Sequence, residues 1–122
     1  MATYNEPLRP AEFLISEADG TLSRDSVTIL SGSGVIKAGM ILGKITATGK
    51  YKPYDDDNAD GSEVAAGIAL MEVDATSADA ACAVIARLAE VKLAALQFAS
   101  TNDAGDQSAA LVDLAAKFII AR

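Results

Sequence analysis

Short apolar runs, each broken by glycine or by an acidic turn, set the pattern of this chain. Phe13-Leu14-Ile15-Ser16 and Ser26-Val27-Thr28-Ile29-Leu30 flank Asp19-Gly20. Two β-prone runs around an Asp-Gly pair predict a hairpin or paired extended segments. After the flexible turn Ser31-Gly32-Ser33-Gly34, Val35-Ile36 leads through Lys37-Ala38-Gly39 into Met40-Ile41-Leu42-Gly43-Lys44-Ile45-Thr46. Gly49 then precedes Lys50-Tyr51-Lys52-Pro53-Tyr54. This is a series of short strands with glycine at each reversal.

An acidic loop from Asp55 to Gly61 separates that meander from Ala65-Ala66-Gly67-Ile68-Ala69-Leu70-Met71. A turn over Asp74 to Asp79 precedes a strand from Cys82 to Arg87. Between Leu88 and Phe98 two periods overlap. Val91, Ala94, Ala95 and Phe98 fit a helical stripe, whereas Glu90-Val91-Lys92-Leu93 alternates like a strand, so a short strand turning into a brief helix is expected. Thr101 to Asp106 reads as a loop, with Ser108 capping a helix that runs to about Ala116. Asp106 and Gln107 then sit near its positive N-terminal end. Phe118-Ile119-Ile120 forms a last strand. At the other end, Pro7 and Pro10 remove backbone donors and keep their neighbours extended. The expected organisation is an extended arm over 1–15 followed by a β domain over 16–122. Its fold class is mostly β (α+β): a small barrel-like domain of short hairpins with one or two short helices.

Composition narrows the chemistry. The 122 residues suffice for one compact core, and 51% of them are hydrophobic, which excludes a disordered chain. Much of that fraction is alanine, and aromatics are only 5%, so a lone subunit buries little area per residue and gains from assembly. The formal net charge of -7 opposes binding to phosphates, so no nucleic acid partner is expected. The charge is uneven. Residues 31–54 carry Lys37, Lys44, Lys50 and Lys52 and no acid, while twelve acids follow from Asp55 onward. Met1 to Glu6 lacks the basic start and apolar stretch of a signal peptide, and no segment is apolar for long enough to span a bilayer. Synthesis in a cytoplasm and no membrane partner are the expectation.

The candidate sites fail on residue type. With no histidine, serine and cysteine nucleophile systems lack their usual base, and His-containing metal sites are excluded. Cys82, the only cysteine, lies in the apolar run Ala81 to Ile85 and reads as a small buried hydrophobe. Asp56-Asp57-Asn58-Ala59-Asp60-Gly61 matches the opening of an EF-hand calcium loop. The position that needs a bidentate Glu is Gly67, however, so a solvated β-turn is the better reading. Gly32-Ser33-Gly34 lacks the third glycine of a dinucleotide fingerprint and the Lys of a P-loop. Neither a catalytic residue, a cofactor nor a metal is expected. Gly34 to Ile45 resembles the strand-turn-strand units of biotinyl and lipoyl carrier domains. It has no Met-Lys or Asp-Lys-Ala to present a modifiable lysine, which leaves a carrier or ligand-binding barrel as the alternative.

The order of these units resembles the lambda-type head decoration protein family of bacteriophages. A proline-containing arm precedes Gly39-Met40-Ile41-Leu42-Gly43, then Tyr51-Lys52-Pro53-Tyr54 and an Asp-rich turn ending in Asp60-Gly61. Ala65-Ala66-Gly67-Ile68-Ala69-Leu70, an Asp74 turn, the strand through Arg87 and a tail from Leu96 to Ile120 complete the order. The resemblance covers most of residues 8–122. It implies a capsid decoration protein, a homotrimer on the outer surface of an expanded head that stabilises the shell against genome pressure. It also implies that the arm engages the major capsid protein, with Tyr4, Leu8, Phe13, Leu14 and Ile15 at the contact.

Overall fold

Gly43 and Gly67 allow the centre of this molecule to close. The computed structural model describes residues 11–98 and 104–122. Its main body is a closed barrel of five strands: β2 (Arg24–Ile29), β5 (Tyr51–Pro53), β4 (Ile41–Lys44), β6 (Ala65–Ala69) and β8 (Ala80–Ile85), in that order. All but the β2–β5 pairing are antiparallel. A β-carbon on Gly43 would lie 2.6 Å from Ser62 Cα, and one on Gly67 3.0 Å from the Ile85 carbonyl oxygen. Only glycine lets these backbones approach so closely.

Outside the barrel, β3 (Gly34–Ile36) pairs with β7 (Val73–Ala75). A second sheet has the order β1 (Leu14–Glu17), β9 (Ala89–Val91), β10 (Ile119–Ala121). The brief helix expected after Val91 is a 3-10 turn at Leu93–Ala95. Two apolar clusters fill the interior. One joins Phe13, Ile41, Tyr54, Ile68, Val91, Leu114 and Ile119, tying the small sheet and the C-terminal helix to the barrel. The other gathers Ile29, Ile36, Leu42, Tyr51, Cys82 and Val84 at the far side. Cys82 is buried there as expected, and burial pushes its thiol pKa up.

Two local expectations are corrected. Asp19-Gly20 does not close a hairpin: β1 pairs with β9, and β2 with β8 and β5. The Asp19 carbonyl accepts from the Leu22 and Ser23 amides, which makes one helical turn, α1 (Gly20–Ser23). That corner is held by the Glu17–Arg24 ion pair and by Ser23 Oγ donating to Glu17 Oε2 at 2.5 Å. The Arg24 hydrogen bond is the main reason that Glu17 titrates below the usual carboxylate range.

Helix α2 (Ala104–Ala115) starts four residues before Ser108, which therefore does not cap it. Ser108 Oγ donates instead to the Ala104 carbonyl at 3.0 Å, one turn back within the helix. Long-range contacts seat α2. Tyr54 Oη donates to the Asp106 carbonyl at 3.0 Å, and the Ala65 amide donates to Asp113 Oδ2 at 3.1 Å.

Tyr54 is fully buried, and burial first, then nearby Asp56, Asp113 and Asp106, push its pKa up to about 12. An unfolded tyrosine ionises near 10, so the native state keeps a proton that the unfolded state loses. Stability from this group is complete below pH 10 and falls as pH rises toward 12. Tyr54→Phe should cost about 1 kcal/mol at neutral pH and should flatten this alkaline loss, read by urea unfolding between pH 8 and 11.5.

Candidate functional site

The segment that leads into β1 is tied into the core at Ala11 and Phe13. Phe13 is fully buried, and its carbonyl accepts from the Lys92 amide at 2.7 Å. The Ala11 amide donates to the Leu70 carbonyl at 2.8 Å, so the chain is pinned to the barrel before β1 begins. A boundary between residues 15 and 16 therefore falls inside β1.

Of the five residues that the family resemblance put at a partner contact, the three described ones occupy different environments. Phe13 packs in the first core cluster, and Leu14 lies half-buried against it. Ile15 is 47% exposed. Tyr4 and Leu8 lie outside the described residues.

Register brings other apolar side chains to the same region. Leu14 and Ala121 both register with Val91, because β1 runs antiparallel and β10 parallel to β9. The chain thus enters β1 and leaves β10 at one end of the sheet. Leu93 follows there, its amide donating to the Arg122 carbonyl at 3.0 Å. Leu93 is 47% and Ile120 40% exposed, which adds two apolar positions to Ile15. Sequence reading missed Leu93 and Ile120, since a β-prone triplet does not reveal which of its residues faces outward. The signal available was the alternation within Ile119-Ile120-Ala121. The Arg122–Glu90 ion pair, 3.3 Å, sits among them.

The acidic loop is an internally bonded turn. Asp60 Oδ1 accepts from the Ser62 amide at 3.1 Å and from Ser62 Oγ at 2.5 Å, while Lys52 Nζ reaches Asp60 Oδ2 at 3.1 Å. These bonds, the Ser62 hydroxyl foremost, bring the Asp60 carboxyl down to about 2. Gly67 lies in β6, facing the Ile85 carbonyl rather than the loop. The lysine nearest the tip of the β4–β5 connection, Lys50, pairs with Asp79 at 2.7 Å.

These features define a small, mostly-β barrel protein with bare apolar positions gathered where the chain enters and leaves it. The family described as bacteriophage lambda head decoration protein D matches residues 3–119 of the chain. The chain belongs to this family, and so to the structural proteins of the phage capsid. No curated protein matches it.

Proposed function

We propose that the chain binds the outer surface of an expanded phage head as a trimer and stabilises the shell against the pressure of the packaged genome. The observation that carries this reading is the family match, which runs from residue 3, within the arm, to residue 119 at the start of β10. The partner is the major capsid protein, reached after synthesis in the host cytoplasm. Attachment is mechanical rather than chemical. An extended arm gains backbone hydrogen bonds by adding a strand to an exposed sheet edge, and β1 already stands at the edge of its own sheet. Tyr4 and Leu8 belong to the arm proper. Ile15 adds exposed apolar surface beside it, while Phe13 and Leu14 anchor the arm to the core. Three arms on one trimer bind together, so weak individual contacts sum to strong attachment.

The test mixes the protein with expanded, undecorated heads of its own phage and sediments them. The full chain should pellet with the heads. A variant lacking residues 1–10 keeps Phe13 and β1, so it should fold normally yet bind at least ~100-fold more weakly, as expected when multivalent contacts are lost. Failure of the full chain to sediment with heads would sink the decoration reading. Equal binding by the truncated protein would remove the arm from it.

A further inference from the structure

The barrel opens at one end into a cleft. β2, β5 and β6 begin at that end, and β4 and β8 finish there. Asp25 from β2, Lys44 from β4, Tyr51 from β5 and Ala66 from β6 line it, with Arg87 just past β8. The facing wall is Leu88 with the stretch Ala116 to Phe118, between α2 and β10. The space between them is about 530 Å³, within the range that holds a small organic molecule, and barrel mouths are a common place for such sites.

Tyr51 carries a polar group into this space. The residue is 8% exposed and belongs to the apolar cluster of Ile29, Leu42 and Val84, yet its hydroxyl has no hydrogen-bond partner among the described residues. The charges that act on that hydroxyl are Asp25 and Arg87, both in the cleft wall, so it faces the cleft and not the core. Buried hydroxyls are almost always bonded, because an unmet donor is costly. Lys44 stands opposite Tyr51 in the antiparallel β4–β5 pair, which puts both side chains on one face of the sheet.

Charge gathers in the same place. Arg24 pairs with Glu17, Lys50 with Asp79, Lys52 with Asp60 and Arg122 with Glu90. Among the described residues, Lys37, Lys44, Lys92 and Lys117 have no such partner, and two of these four, Lys44 and Lys117, lie in the cleft. Arg87 is the third cation of the lining, held 2.6 Å from Asp25, its one acid among the described residues. Three cations against one carboxylate leave the cleft positive on a chain of formal net charge -7, so its local field draws small anions. Beside the charge lies bare apolar surface. Leu88 and Phe118 have φ of 56° and 61°, backbone that side chains of this size keep only where the surrounding structure imposes it. The Leu88 amide donates to the Lys117 carbonyl and the Ala89 amide to the Phe118 carbonyl, and Phe118 is left 67% exposed.

We propose that this barrel mouth binds a small organic anion, with Lys44, Lys117 and the Tyr51 hydroxyl donating to its carboxylate or phosphate head and a flat apolar body covering Phe118 and Leu88. Arg87 donates to Asp25 and to the Leu22 carbonyl, so it shapes the wall and leaves the head to the two lysines. Each half of the ligand answers one half of the lining. A bare anion leaves Phe118 in water, and a neutral aromatic leaves the lysines and the hydroxyl unmet. The cleft adjoins the Ala89 end of the small sheet, opposite the Val91 end where the chain enters β1 and leaves β10.

Amide chemical shifts of the full-length 15N-labelled chain test this during titration with naphthoate and, in parallel, with naphthyl phosphate. At least one should give saturable shifts centred on Lys44, Tyr51, Leu88 and Phe118, with a Kd of about 1 mM or tighter, the range open to a ligand of this size. The tighter of the two identifies the head group. Neutral naphthalenemethanol and inorganic phosphate should each bind at least ~10-fold more weakly, since each makes half of the contacts. K44A/K117A should lose a similar factor, while K37A/K92A, the same loss of charge outside the cleft, should bind as wild type does. Tyr51→Phe keeps the ring in the core and should weaken binding about threefold or more through the lost hydrogen bond. Native amide spectra of the free variants show that they fold. Shifts that fail to saturate with either anion, or that centre elsewhere, would overturn the site. Equal binding of naphthalenemethanol, or by K44A/K117A, would overturn it by reducing the cleft to an apolar surface. Equal binding of inorganic phosphate would remove the apolar body from the ligand and overturn the class proposed.

Discussion

Phe13→Ala is expected to destabilise the domain by about 3–5 kcal/mol, the usual cost of removing a buried aromatic side chain. Phe13 has no exposed surface and shares a cluster with Ile41, Tyr54, Ile68 and Val91, from the barrel and the small sheet. Its removal leaves a cavity where two layers meet. With aromatics at only 5%, few neighbours are large enough to refill it. Small domains hold only about 5–15 kcal/mol in total, so a large share of the stability is at stake. Urea unfolding followed by circular dichroism should show a much lower midpoint with an unchanged slope. A loss below about 1 kcal/mol would mean that Phe13 belongs to a dispensable arm after all.

Gly43→Ala is expected to cost about 2–4 kcal/mol, although it adds a single methyl group, because the space is already occupied. The new β-carbon would overlap the Ser62 carbonyl oxygen and lie 2.6 Å from its Cα. Neither side can retreat. Ile41 and Leu42, just before Gly43 in β4, are fully buried, and Ser62 is buried and bonded to Asp60. Gly20→Ala makes the matched comparison. Its β-carbon would meet nothing closer than the Arg24 side chain at 3.8 Å, and the residue opens a helical turn. There the same change should be neutral or stabilising by up to ~1 kcal/mol, through reduced freedom of the unfolded chain. Paired thermal melts decide the matter, and similar shifts for both variants would sink the close-approach account.

Local pattern carried much of this structure. Short apolar runs bounded by glycine and by acidic turns located the strands near Ile41, Tyr51, Ile68 and Val84, because such turn residues punctuate a chain of short buried strands. The mixed period after Leu88 correctly foreshadowed a strand followed by a helical turn. Where expectation failed, distant groups decided. Asp19-Gly20 reads as a hairpin turn, yet β1 pairs with residues of β9 that lie 72 to 77 positions away, and β2 with residues of β8 that lie 51 to 61 positions away. Helix α2 is tied to the barrel by Tyr54 donating to the Asp106 carbonyl, a contact that the sequence around Ser108 does not encode.

The candidate site divides the same way. By itself the sequence determined a small, acidic, histidine-free β domain and, through the order of its units, membership of the head decoration family. Tertiary structure alone decided that Phe13 is core while Ile15 is bare, and that Leu93 and Ile120 gather near it. It alone brought Lys44 and Lys117, seventy-three positions apart, into one cleft beside Phe118. Periodicity reports which face of its own element a side chain occupies. It carries no information about which element packs there, because strand pairing across a closed barrel is settled by the complementarity of distant surfaces.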